Sequence, residues 1–337
     1  MKYQLGISLL LIVFIFALPW LTAPDVQSPP AQELPAPEPA PSAPPTGGDR
    51  GVLLRVLIGA RVQEMDMASY LAGVVRAEMP ASFETEALKA QAVAARTYTL
   101  YKMENGGSPN HPQADACDDV TCCKAYRSAE AAAAAWGESA AVYEARIAAA
   151  VAETDGLCVL WEGRPILAVF HSSSPGMTRA SADVWSSALP YLQSVPSPED
   201  ETSVPDYRAR MSFTAAGLRE LLLQALPDAQ LEGRACDWFT NIRRASSGAV
   251  ESLAVGGQEI TGAALRTALG LRSASFTVTF EGDEVVFTTT GYGHGVGMSQ
   301  YGANVLAGEG KTFRQILSWY YTGTEVEPYI PAAAGAY

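Results

Sequence analysis

Glu78 stands where an amphipathic helix should carry an apolar side chain. The surrounding segment runs from Asp66 through Met67, Tyr70, Leu71, Val74 and Val75 to Glu78, Met79 and Pro80. Asp66 is suited to cap a helix and Pro80 to stop it. At about 100° per residue, Glu78 projects roughly 20° from Met67, inside the apolar stripe, while Arg76 points to the other side. A carboxyl held against apolar neighbours resists ionising, so its pKa rises and it can donate a proton near neutral pH. A frayed helix end, with the carboxylate reaching water or pairing with a base, is the competing reading.

A second group of reactive residues is His111, Cys117, Cys122 and Cys123, in one irregular stretch. One His and three Cys could hold a tetrahedral zinc, and a closed set of four protein ligands is structural, not catalytic. A disulfide from Cys117 to Cys122 or Cys123 competes with that reading in an oxidising compartment. Cys158 and Cys236 read as core thiols, and five Cys in all leave at least one unpaired or point to a metal.

The third group is built on glycine. His171 opens His171-Ser172-Ser173-Ser174-Pro175-Gly176, and His294 lies in Gly291-Tyr292-Gly293-His294-Gly295-Val296-Gly297-Met298-Ser299-Gln300-Tyr301-Gly302. Alternating glycines permit unusual dihedrals and close backbone approach to a ligand, although a tight structural turn is the default. All three histidines lie in loop-like segments, which makes His171 and His294 candidates for one pocket. No Gly-Lys-Ser/Thr phosphate loop, serine nucleophile elbow or His-Glu-x-x-His is present. Lys89 and Arg96 share a helix face, either solvated or in contact with an anion or sugar.

The elements that must position these groups follow from periodicity. A strand is expected over Val52–Ile58, then the Glu78 helix, then an Ala-rich helix over about Glu84–Met103 with Leu88, Ala92, Ala95 and Tyr98 on one side. Alanine permits close packing of that helix on the Glu78 helix. Another helical region is expected over Ser128–Glu153, then a hairpin of Leu157–Trp161 and Ile166–Phe170 through Glu162-Gly163. Loops follow near Pro190–Pro205, and then a helix over Ala215–Leu226. Strands are expected at Ala249–Val255, Ser275–Phe280 and Glu284–Thr289, with helices at Gly262–Leu269 and Thr312–Tyr320. Helices come mainly first and strands mainly later, so the expected class is α+β, with a helical segment carrying Glu78 packed on antiparallel β-rich segments as two lobes around a cleft.

The chain has 337 residues, with 36 acidic against 23 basic and a net charge of −13. That charge argues against a nucleic-acid partner. Leu5 to Leu21 is apolar apart from Ser8 and follows Lys2, which predicts a transmembrane anchor over residues 1–22 with the rest exported. A cleaved signal peptide competes, but Leu18-Pro19-Trp20-Leu21-Thr22-Ala23 is a poor cleavage site. Residues 23–50 are a Pro/Ala-rich linker. At ~3.1 Å per residue it could hold the folded part on the order of 80 Å from a bilayer. The folded domain is expected over 51–326, with a short tail over 327–337.

The stretch from Tyr70 through Val74, Val75, Glu78, Met79 and Pro80 to Phe83, then Glu86, Lys89, Gln91, Arg96, Thr97 and Tyr98, resembles the stage II sporulation protein D family. So do Gly293 through Ala303, and the Phe170-His171-Ser172 loop with Val184-Trp185 and Pro190-Tyr191-Leu192. The resemblance runs in order over about residues 51 to 326. It implies a membrane-anchored lytic transglycosylase that cuts peptidoglycan strands after an amidase has removed the stem peptides, with Glu78 as the catalytic acid. It implies partners as well: a companion amidase/endopeptidase and a multi-span membrane protein of the engulfment machinery, in the intermembrane space of a sporulating cell. It favours structural zinc on His111, Cys117, Cys122 and Cys123, with Cys122 in place of a second His. The chain departs from the family at Pro175-Gly176, where Gly-Gly is usual.

An ordinary glycosidase needs two carboxylates, whereas a lytic transglycosylase can use one because the sugar's C6 hydroxyl is the nucleophile. Lys89, Gln91, Arg96, His171, Ser172, His294, Ser299, Gln300 and Tyr301 are the candidates for binding the glycan. Two rival readings are a zinc-dependent peptidoglycan hydrolase using His111, His171 or His294 with Cys ligands, and a glycan-binding module that activates an amidase without chemistry of its own.

Overall fold

The computed structural model describes residues 48–107, 110–185 and 187–331. The predicted anchor lies outside the described residues, as does the predicted linker apart from Gly48, Asp49 and Arg50. Among the described residues no helix is long and apolar enough to cross a membrane. The class is α+β.

Strands β1 (Leu53–Ile58) and β2 (Arg61–Asp66) form an antiparallel hairpin. β2 had no sequence signature because both its faces are largely exposed, which erases the alternation that marks a half-buried strand. Asp66 ends it and caps helix α1 (Met67–Glu78) by accepting from the Ser69 N–H at 2.8 Å. Helix α2 (Thr85–Glu104) follows. The sequence suggested one buried side, but α2 is buried all round from Ala90 to Thr97. Alanine leaves so little bulk that α1, other helices and a sheet approach it together.

Strand β3 (Ala116–Cys117) lies in a stretch predicted to be irregular and pairs in parallel with β1. The expected helix over 128–153 is two, α3 (Ala129–Trp136) and α4 (Ala140–Ala152), broken at Gly137, where φ is +55°. Strand β4 (Leu157–Trp161) turns into β5 (Arg164–Pro165), shorter than the predicted return strand. After Ile166 donates to Val159, the amides of Ala168 and Val169 turn back onto Ile166 and Leu167 and leave the ladder. Phe170–His171 is a separate strand, β6.

From β7 (Arg208–Thr214) the chain builds a second core. It runs through α5 (Ala215–Ala225), β8 (Phe239–Arg244), β9 (Val250–Val255), β10 (Gln258–Thr261), α6 (Gly262–Leu269), β11 (Phe276–Glu281) and β12 (Glu284–Thr290). Two antiparallel sheets, β10-β9-β8 and β11-β12-β7, bury Leu218, Leu222, Leu253, Leu265, Phe276 and Phe287. β7, β8 and β10 were not predicted; each is an edge strand with mostly exposed residues.

The chain then returns to the first core through β13 (Met298–Ser299), α7 (Gln300–Gly308), α8 (Phe313–Tyr320) and β14 (Glu325–Pro328). β13 pairs in parallel with β6, and β14 pairs antiparallel with β4. Helix α7 was hidden behind its glycines. Tyr70, Leu71, Val74, Leu88, Val93, Ile147, Val159, Met298 and Leu317 belong to one cluster, so elements from both ends of the domain close around α2.

Candidate active site

Helix α1 delivers Glu78 at its last residue, half-buried. Glu78 lines a cavity of about 320 Å³ whose wall also includes Arg76, Arg127, Trp136, Ser172, Gln300 and Tyr301. Burial is the largest influence on Glu78 and raises its pKa, opposed by the Lys124 charge and by the Ala125 N–H. That N–H donates to Oε1 at 3.1 Å, and the Gln300 amide donates to the Glu78 carbonyl at 2.9 Å. Glu78 is the one acidic side chain on this wall among the described residues. A larger groove of about 950 Å³, past Gly48, Gln63, Asp66 and Tyr126, contains none of the predicted site residues.

The segment 124–127 crosses α1 because Gly73 lets it. A β-carbon on Gly73 would stand 2.1 Å from Tyr126 Cε2, and the Gly73 carbonyl accepts from the Arg127 N–H at 3.0 Å. A mid-helix glycine costs about 1 kcal/mol against alanine. Here it admits Tyr126, which stacks on Tyr70 at 6.2 Å between ring centroids. Lys124 is then held over two rings, 3.9 Å from the Phe170 centroid and 4.2 Å from that of Tyr98. Burial lowers its pKa to about 8, partly offset by Glu78.

The Gly-His-Gly loop lies behind the cavity. At Gly297 φ is +73°, and a β-carbon would stand 2.1 Å from the Val169 carbonyl oxygen, so only glycine lets β13 reach β6. His171 and His294 come together with ring centroids 5.6 Å apart. His171 Nδ1 meets the Val296 carbonyl at 3.2 Å, so that nitrogen carries the proton, and Nε2 accepts from the Ser174 hydroxyl at 2.7 Å. Burial lowers His171 to about 4. Burial, then the neighbouring His171, lowers His294 to about 3. Both rings are neutral at neutral pH, and neither is on the wall of the Glu78 cavity.

Ser299 is fully buried and ties this loop to Glu199, donating to Oε1 at 2.5 Å. Glu199 also accepts from the Ser174 N–H at 2.5 Å and the Ser197 hydroxyl at 2.6 Å. The Ser299 hydroxyl caps α7 as well, accepting from Gly302 N at 3.2 Å. The next residue, Gln300, donates to both Glu78 and Gln91, the latter at 3.3 Å. Gln91 is wholly buried and acts through Gln300.

Ser172, Gln300 and Tyr301 thus join Glu78, with Gln91, Ser299, His171 and His294 behind them. Lys89 and Arg96 do not join. Lys89 pairs with Glu86 at 2.8 Å and Glu153 at 2.7 Å. Arg96 is buried and forked onto Asp49 at 2.6 and 2.5 Å, because α2 has no solvated face at that point. The thiol sulfurs of Cys117, Cys122 and Cys123 lie within 4.8 Å of one another, but that mutually close set does not include His111. They are buried in one cluster with Leu57 and Ala114. Sequence reasoning missed Lys124, Arg127, Trp136 and Glu199. For the first two there was a signal, since they follow the Cys cluster directly; Trp136 and Glu199 had none.

The sequence profile described as "Stage II sporulation protein" matches residues 59–161. The chain is 39% identical over 265 residues to "Stage II sporulation protein D" of Bacillus subtilis (strain 168), covering 79% of this chain and 75% of that protein. It is 38% identical over 266 residues to the protein of the same description from Bacillus amyloliquefaciens, with the same coverage of 79% and 75%. It is 28% identical over 306 residues to "Amidase enhancer" of Bacillus subtilis (strain 168), covering 77% of this chain and 40% of that protein. Glu78, Ala125 and the profile match fall in the same segment, and the likeness to the two sporulation proteins extends well beyond it: the chain belongs to the stage II sporulation protein D family.

Proposed function

We propose that the chain is a peptidoglycan lytic transglycosylase of sporulation, with Glu78 as its acid and base. The observation that carries this reading is one pKa-raised carboxyl in a cavity whose described wall holds no second acid. Glu78 protonates the glycosidic oxygen as the C1–O bond breaks. Its carboxylate then takes the proton of the C6 hydroxyl as that oxygen bonds to C1, leaving a 1,6-anhydro end and restoring the acid. Burial favours the neutral acid before the first step. The Ala125 N–H and the nearby Lys124 charge steady the carboxylate between the two steps. Tyr301, Ser172 and Gln300 face the sugar; Lys89 and Arg96 support the fold instead.

The three thiols fit a structural zinc, since three soft donors already converge in a buried cluster and His111 begins the same loop. The ion would clamp the segment whose next residues meet Glu78. Metal content and thiol reactivity of protein purified without added zinc test this. The three-thiol cluster contains neither His171 nor His294, so it offers no support for a zinc hydrolase. We also propose an N-terminal anchor over 1–22, an extracytoplasmic catalytic domain, and the amidase/endopeptidase and multi-span membrane protein as partners.

The likeness to an amidase enhancer favours one second reading, a glycan-binding activator without chemistry. One digestion separates the two. Peptide-stripped strands are incubated with wild type and Glu78→Gln, and the ends are identified by mass. Anhydro ends from wild type alone support the transglycosylase; hydrated reducing ends, or equal activity in the variant, rule it out.

A further inference from the structure

Arg76 and Arg127 are the two cations on the wall of the Glu78 cavity. They are not equivalent. Arg76 is neutralised by both carboxylate oxygens of Glu144 and is nearly buried. Arg127 is exposed, and no carboxylate pairs with its side chain among the described residues. Its backbone is nevertheless fixed, because its N–H bonds the Gly73 carbonyl of α1 at 3.0 Å. It directly precedes Ser128, whose hydroxyl caps α3, and α3 ends at Trp136 on the same wall. The residue is thus tethered at its backbone, exposed at its side chain, and on the same cavity wall as the candidate acid. On the wall of this cavity, a guanidinium with no carboxylate partner among the described residues is available to an anionic group that a ligand brings.

A glycan strand of alternating N-acetylglucosamine and N-acetylmuramic acid carries one kind of ionisable group, the lactyl carboxyl on O3 of the muramic acid. It is an amide, and uncharged, while a stem peptide is attached, and a carboxylate once the peptide is gone. It is borne on the sugar ring whose anomeric bond a transglycosylase breaks. We infer that Arg127 is a specificity residue that binds this free lactyl carboxylate, so that the cavity distinguishes a lactyl anion from the neutral lactyl amide at that one position. A guanidinium matches a carboxylate with two parallel hydrogen bonds, which an amide cannot accept in the same way. The inference rests on the glycan reading above and adds the group by which the substrate is selected.

The test uses the full chain carrying Glu78→Gln, so that strands survive the measurement. Binding is compared between strands with free lactyl carboxyls and the same strands with those carboxyls converted to methylamides. The expected result is a preference of roughly tenfold for the free acid, as for one charge-assisted contact near water. Adding Arg127→Ala abolishes that preference by weakening binding of the free-acid strands most, and an unchanged thermal unfolding midpoint shows that the variant is folded. Arg127→Lys keeps part of it. If Arg127→Ala retains the full preference, or if the parent chain has none, the inference is overturned while the glycan reading stands. If the parent chain binds neither strand, the glycan reading falls and the inference falls with it.

Discussion

Glu78 and Glu199 are two carboxyls on opposite sides of the Ser299-Gln300 turn, and their surroundings differ in kind. Glu199 is almost wholly buried, yet a backbone N–H and two serine hydroxyls donate to it. Glu78 is only half-buried, and fewer donors reach it: the Ala125 N–H and the Gln300 side chain. Burial is therefore a poor guide to which acid is reactive; the number of donors left to satisfy it is the better one. Glu199 accepts from three segments and holds them in place. At Glu78 desolvation outweighs the Lys124 charge and the two donors, so its proton stays on more readily and can be delivered to a substrate.

The strongest way to break this comparison is Glu78→Gln. It should lower production of anhydro ends by roughly 10²- to 10⁴-fold without unfolding the protein. Activity retained within tenfold would place the chemistry elsewhere. Glu199→Ala should act on stability instead. Each buried donor left without its acceptor costs about 1–3 kcal/mol, so with three donors a loss of at least about 3 kcal/mol is expected in urea unfolding. An unchanged midpoint would show that Glu199 is not the fastener described. Gly73→Ala probes the link between the two regions. Overpacking against Tyr126 should cost about 1–3 kcal/mol and reduce activity more than stability alone explains, since Ala125 is carried off Glu78 with it. Wild-type turnover in a folded Gly73→Ala protein would sever that link.

The smallest expected effect is a pH-dependent one. The folded pKa of Glu78 lies above its ordinary 4.5, so the folded state binds that proton more tightly than the unfolded chain. Folded stability therefore falls as pH rises from about 4.5 through the raised value, and stays lower above it. Glu78→Gln should melt higher than wild type at pH 7, with the gap closing as both forms of the wild type become protonated below about pH 4. A gap independent of pH would mean that the carboxyl is not strained by its site.

Much of the site was legible because it is local. Asp66, the apolar stripe, Glu78 and Pro80 lie within one helix and its caps, where spacing alone sets direction. The thiols of Cys117, Cys122 and Cys123 converge from neighbouring positions, while His111 needed a loop geometry that the spacing could not supply. Lys89 and Arg96 share a face in projection, but α2 has other segments packed where solvent or a bound anion or sugar was expected. Glu199 was illegible because Ser197-Pro198-Glu199-Asp200 reads as an ordinary turn, and its partners at Ser174 and Ser299 are 25 and 100 residues away.

By itself the sequence determined the α+β class, the helix that ends at Glu78, the thiol cluster and the proximity of chemistry to the glycine-rich loop. Backbone preferences and periodicity act over a few residues, and these features are written at that range. The tertiary structure alone decided that Ala125 and Gln300, 47 and 222 residues from Glu78, supply its hydrogen bonds, and that Arg127, with no carboxylate partner among the described residues, lines the same cavity. Desolvation and hydrogen bonding depend on atoms within a few ångströms, whatever their separation along the chain, so the acidity of Glu78 is settled only once the chain has closed around it.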